Sequence, residues 1–224
     1  MRGILLVALA FTLTACDAAP APTSAPTRSA VTAATVTTSA VTVLPEAKAL
    51  QAALTMQDLP ANWIGDASVD PNAGDAPAAG DYVPSKCRTL RHAMHDLGKP
   101  QTAVSAQFNG PGASSSEKIR SWPTGREALL QTVTEVLPSC ATFTMTPVGE
   151  SSPVSVTARQ LSVPGLSDGV AVRFEIRSGT TWVQHRAYAV RGGTVLELAA
   201  DQLSDADFVR LTGKAVAKLD AVVR

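Results

Sequence analysis

From Val154 onward the chain alternates apolar and polar residues with a period of two. In DGVAVRFEIRS, Val170, Val172, Phe174 and Ile176 fall on one side, and Arg173, Glu175 and Arg177 fall on the other. This is the mark of a β-strand with one face covered and one in water. VSVTARQLSV, TWVQHRAYAVR and TVLELAAD read as strands too, and the pairs Ser178-Gly179 and Gly192-Gly193 supply turns, so the four segments predict an antiparallel meander. Upstream, Val104, Ala106 and Phe108 predict a strand ending at Asn109-Gly110. A second is expected from Glu117 to Trp122, and another opens at ATFTMTPV. Ser114 to Ser116, in a Gly/Ser-rich stretch, read as loop.

Helical spacing replaces this period in four places. Ala49, Leu50, Ala53 and Leu54 share a face, as do Leu90, Met94 and Leu97, after which Gly98 supplies a stop. Thr124 and Glu127 fit a capping box before a stripe of Leu129, Leu130, Val133, Val136 and Leu137, and Pro138 ends it. Ser204 and Asp207 cap a closing helix with a stripe of Phe208, Leu211, Ala215, Leu219 and Val222. Asp66 to Pro84, rich in Pro, Gly, Asp and Ala, has no period and reads as one long irregular loop. The pattern as a whole predicts an α+β domain over residues 46–224, with an antiparallel sheet of about five to six strands and helices packed on it.

The start of the chain changes the picture from fold to location. MRGILLVALAFTLTAC has one positive charge, an apolar run and small residues before the break, the parts of an export signal. The run is shorter than the about 20 apolar residues that a bilayer span takes. Leu13-Thr14-Ala15-Cys16 resembles the lipobox of bacterial lipoproteins, which implies a signal peptide over residues 1–15 and diacylglycerol on the Cys16 thiol. Two or three acyl chains then anchor stably where one does not. The segment that follows, to residue 45, is dominated by Ala, Thr, Pro and Ser, cannot bury enough apolar surface to order itself, and reads as a tether reaching roughly 30 Å. The expected location is the extracytoplasmic face of the cell membrane.

Charge and cysteine count narrow the rest. With 19 Lys plus Arg against 19 Asp plus Glu, nothing steers the chain toward nucleic acid. Cys16 aside, Cys87 and Cys140 remain as an even pair in an oxidising compartment, where a disulfide is expected. Their spacing is not that of a redox-active C-x-x-C.

The order of parts is lipobox, tether, helix, a cysteine before a strand pair, a helix ending in LPSCATF, a meander and a closing helix. It resembles the extracytoplasmic sensor domain of PknH-type receptor Ser/Thr kinases and related actinomycete lipoproteins. That resemblance implies an antiparallel sheet with helices on it, a cleft, and binding rather than catalysis. Those kinase domains carry two disulfides, whereas this chain has cysteines for one.

Candidate chemistry is sparse. The sequence lacks G-x-S-x-G, S-x-x-K, H-E-x-x-H and a P-loop, so no enzyme is expected and no cofactor is implied. His92 and His95, at i, i+3 beside Asp96, are the one pair with metal-ligand spacing, although they read first as surface residues beside the Leu90 stripe. Arg173 and Arg177, with Arg186 and Tyr188 on the neighbouring strand, are the candidate lining for a polar or anionic ligand, set against a plain solvated sheet face. Trp63, Trp122 and Trp182 read as core or rim. The expected function is a membrane-anchored, non-catalytic module that binds a small molecule, lipid or envelope partner. The alternatives are a cell-wall or lipid-processing hydrolase and a structural subunit of an envelope complex.

Overall fold

The computed structural model describes residues 41–70 and 80–223; the signal peptide, Cys16, residues 17–40 of the tether and residues 71–79 lie outside the described residues. The strands are β1 (Ile64–Val69), β2 (Asp81–Val83), β3 (Thr102–Gly110), β4 (Ala113–Ser121), β5 (Thr142–Thr146), β6 (Val154–Leu161), β7 (Gly169–Ser178), β8 (Thr180–Arg191) and β9 (Thr194–Asp201). They form one sheet in the order β1-β3-β4-β9-β8-β7-β6-β5-β2, every pair antiparallel. The meander stands as expected, but the sheet has nine strands rather than five to six. The two edge strands β1 and β2 come from the ends of the stretch read as irregular loop. Apart from the half-buried Ala67, β1 is exposed throughout, so its side chains never had to alternate, and only its ladder to β3 marks it as a strand. Ser114 to Ser116 are likewise strand: Pro111 and Gly112 make the turn, and β4 begins at Ala113.

Both faces of the sheet carry helices, which corrects the expectation that one side meets water throughout. On one face lie α1 (Glu46–Ala52) and α4 (Asp205–Val223), over a core of Val104, Phe108, Ile119, Leu196, Leu198, Phe208, Leu211 and Leu219. Ala49, Ala52 and Ala53, all fully buried, let α1 approach closely. Ser204 caps α4 as predicted, its Oγ accepting the Asp207 N–H at 3.1 Å. On the other face lie α2 (Thr89–His92) and α3 (Ala128–Val136), over Phe143, Val156, Val172, Phe174, Tyr188 and Val190. Here the sequence reading needs two corrections. The segment from Ser85 to Leu97 is one turn of α-helix flanked by 3-10 turns at Ser85–Arg88 and His95–Leu97. Thr124 does not cap α3, which starts at Ala128 with no side-chain cap. Instead the β8–β9 turn holds this stretch, with the Gly193 and Gly192 carbonyls accepting from the Trp122 and Arg126 N–H groups at 2.9 and 3.0 Å. A Cβ at Gly193 would collide with the Trp122 carbonyl oxygen.

Cys87 and Cys140 form a disulfide, both fully buried, tying the turn before α2 to the 3-10 turn Leu137–Cys140 after α3. The bridge spans a sequence separation of 53, so in the chain-entropy view it contributes on the order of 4 kcal/mol. Reduction is expected to lower the unfolding midpoint by that order. Hydrogen exchange should rise first in Ser85–His92, because that short segment has no ladder of its own, while β7, β8 and β9 stay protected.

Glu117, on β4, is buried under α1. Its Oε2 accepts the Leu54 N–H at 2.7 Å, while among the described residues Oε1 has no partner. Burial pushes its carboxyl up to about 7, against the downward pull of the Leu54 N–H and Lys218. A raised folded value means the folded state holds the proton more tightly. The stabilisation is complete below the unfolded value near 4.5 and is lost as pH rises through 7. Glu117→Gln should therefore match the parent near pH 4.5 and exceed it above pH 7 by on the order of 3 kcal/mol in chemical denaturation; a constant difference across this range would refute the assignment.

Candidate functional site

Strand register decides where each candidate arginine points. Residues directly opposite in a ladder share a face, and successive residues do not. Arg173 lies opposite His185, whereas Arg186 lies opposite Val172 and Tyr188 opposite Val170. The four residues predicted to line one cleft thus divide between the two faces.

Arg173 belongs to the face of α4. Arg159, Arg173 and His185 form one cross-strand row on β6, β7 and β8, and all three converge on Asp205 in the first turn of α4. Arg173 Nε lies 3.3 Å and His185 Nε2 2.8 Å from Asp205 Oδ1, and Arg159 pairs with Oδ2. Against the upward push of partial burial, the His185 hydrogen bond and Arg159 hold the Asp205 carboxyl below its ordinary value. Burial pulls the His185 imidazole down, opposed by its bond to Asp205. His185 is fully buried, stacks on Phe208 at 4.7 Å and among the described residues has no partner at Nδ1. Its bond to Asp205 holds the first turn of α4 on the sheet. Arg177, at 68% side-chain exposure, pairs among the described residues with Glu175 alone.

The opposite face is covered unevenly. Helices α2 and α3 pack over the β5–β8 half. Toward β1 the same face carries Ser105 and Gln107 on β3, Ser114, Ser116 and Lys118 on β4, Ala199 and Asp201 on β9, and Trp182, Gln184 and Arg186 on β8. The register aligns these positions, and each is half-buried or exposed. Small residues, Ala199 and Ser116, lie directly beside Arg186 in the cross-strand row. Trp182, 44% exposed, stands at the open end with its Nε1 3.4 Å from Asp201 Oδ1. Arg186 donates to the buried Glu197 at 2.8 Å. Tyr188 is fully buried, its hydroxyl donating to the Leu90 carbonyl at 3.4 Å, so it belongs to the core under α2 and does not line the surface.

Arg91 of α2 borders this open half. Its Nη1 donates to the Tyr82 hydroxyl at 3.3 Å and faces the Met145 thioether, and its Nη2 donates to Gln184 Oε1. Tyr82 Oη also meets His92 Nε2 at 3.1 Å. Burial first, then the Arg91, Arg186 and Arg88 charges, push His92 down to about 3, so its ring is neutral at physiological pH. His95 turns away to Asp96, 2.8 Å from Oδ1. The two histidines have separate partners, and the described residues contain no group of three or more metal-ligating side chains. Sequence spacing alone could show that Gln184 and Arg186 share a parity. It gave no signal for Arg91, which reaches the site from a single helical turn.

No protein-family model matches the chain, and no curated protein does. Among solved structures, the extracellular domain of PknH from Mycobacterium tuberculosis superposes with a TM-score of 0.61 at 14% identity, over 81% of this chain and 97% of that one. An uncharacterised protein of Mycobacterium smegmatis, an Rv0999 ortholog, matches with a TM-score of 0.48 at 14% identity, over 79% of this chain and 97% of that one. The chain therefore has the α+β fold of the PknH extracellular domain.

The electrostatics lead to a direct expectation. His92, with a folded value far below the ordinary 6.5, contributes stability that is present above pH 6.5 and is lost as pH falls toward 3. In an NMR titration its ring signals should show no inflection between pH 5 and 8. Removing the neighbouring charge with Arg91→Gln should move the inflection upward.

Proposed function

We propose that this chain is an extracytoplasmic, lipid-anchored and non-catalytic binding module, with its ligand surface on the open half of the sheet between β3 and β8. The observation that carries the reading is the uneven cover of that face. Polar side chains of four adjacent strands stand open in one patch beside a cluster of arginines, within a fold shared with the extracellular domain of PknH. A solvated sheet face needs no half-buried guanidinium at its border, whereas a recognition surface uses convergent polar groups held by a rigid sheet. The extracytoplasmic location rests on the lipobox and export signal, on the disulfide and on the shared fold. None of the described helices is long and apolar enough to cross a membrane; the attachment proposed is lipid on Cys16, read from the lipobox.

Two measurements test this. Cys16→Ala should move the protein from the detergent-extractable membrane fraction to the soluble one, while high salt should release none of the parent, because acyl anchoring is not screened as charge attraction is. Adding a small-molecule extract of the cell envelope to the isotope-labelled full chain should shift NMR signals of Gln107, Ser116, Lys118, Gln184 and Ala199. Shifts centred instead on Asp205 and α4, or none at all, would overturn the proposed surface.

A further inference from the structure

Arg91 is a half-buried cation with only neutral acceptors: the Tyr82 hydroxyl, the Met145 thioether and the Gln184 amide oxygen. Among the described residues no carboxylate lies within 4 Å of it, and its Nε is buried without a partner. A guanidinium largely removed from water with no carboxylate in contact is unfavourable, and Asp201, opposite Gln184 on β9, opposes its charge only from a distance without pairing with it, so the position needs a reason. Gln184 supplies one. It sits two residues from Arg186 on the same face of β8 and accepts from Arg91, and the Arg186 charge also acts on Arg91. Arg186 uses Nη1 on Glu197, and among the described residues its other donors meet no acceptor. The same region holds Arg88 and the uncharged His92.

We propose that Arg91 and Arg186 form an oxyanion subsite at the border of the open sheet face, taking a carboxylate or phosphate group of the ligand beside or in place of the Gln184 amide oxygen. The proposal deepens the binding reading above and rests on it. The fork of a guanidinium matches both groups in two-point contact. From that anchor the rest of the ligand runs over Ala199, Ser116 and Ser114, where short side chains leave room, toward the exposed ring of Trp182. Polar groups of Lys118, Asp201 and Gln107 flank that path.

The test uses the full chain in detergent with sodium acetate and inorganic phosphate as probes, against chloride at equal ionic strength. A saturable rise in melting midpoint and a change in tryptophan fluorescence are expected with at least one probe, and which probe acts identifies the group. Affinity should fall at least tenfold in Arg91→Gln and in Arg186→Gln, and should be unchanged in Arg177→Gln on the opposite face. Gln184→Glu places a carboxylate where the ligand oxyanion is proposed to sit. This variant should melt above the parent and lose the probe response. The proposal is overturned if neither probe gives a saturable response, if both arginine variants bind like the parent, or if Gln184→Glu melts lower. Should the envelope extract still shift Ser116 and Ala199 while both probes fail, the oxyanion subsite falls and the binding surface stands.

Discussion

Helix α4 is latched along β8 at both ends, and much of the molecule's organisation follows from that. Asp205 in its first turn takes the Arg159–Arg173–His185 row, and Asp220 near its last turn takes Arg191 through Nε at 2.6 Å and Nη2 at 3.3 Å. The lengths agree: 15 residues of helix rise about 22 Å, and the six residues from His185 to Arg191 extend about 20 Å. Between the latches β8 presents Ala187 and Ala189, both almost fully buried, so the helix settles close to the sheet. Lys214 and Lys218 then hold Asp58, through its carbonyl at 2.6 Å and its carboxylate at 2.8 Å, which fastens the segment after α1 to the same helix.

With one parity of β8 committed to α4, the other parity is left for the second face. There Tyr188 and Val190 enter the core beneath α2, and Trp182, Gln184 and Arg186 extend beyond it. A single strand therefore carries both the helix latch and the candidate surface, and a one-residue slip in register would exchange them. The disulfide serves the second face. It joins the turns that carry α2 and follow α3, and so it sets where helix cover ends and where Arg91 meets β8.

The two buried acids illustrate different solutions to burial. Glu197 is paired with Arg186, which keeps a charge at the margin of the open face. Glu117 has a single backbone donor and is driven toward its neutral form. The first arrangement retains an ion pair where a ligand could meet it, and the second closes the core under α1 without a counter-ion.

Periodicity carried most of the element identities. Alternation marked β3 and the C-terminal strands, and helical stripes marked α1, α3 and α4 with the Ser204 cap, because those segments bury one face and their sequences must show it. Compartment and parity of cysteines pointed to the Cys87–Cys140 bridge that the fold contains. What the sequence could not contain was the identity of neighbours. The edge strands β1 and β2 are too exposed or too short to show a period, β1 half-burying Ala67 alone and β2 burying Tyr82 alone, and are defined by partners 35 or more residues away. Whether Arg173 or Arg186 faces open surface depends on what is laid over each side of the sheet, and that is decided by helices from distant parts of the chain. Arg91 meets Gln184 across 93 residues. Local pattern records which side chains avoid water, and only the packed structure records which of them then share a place.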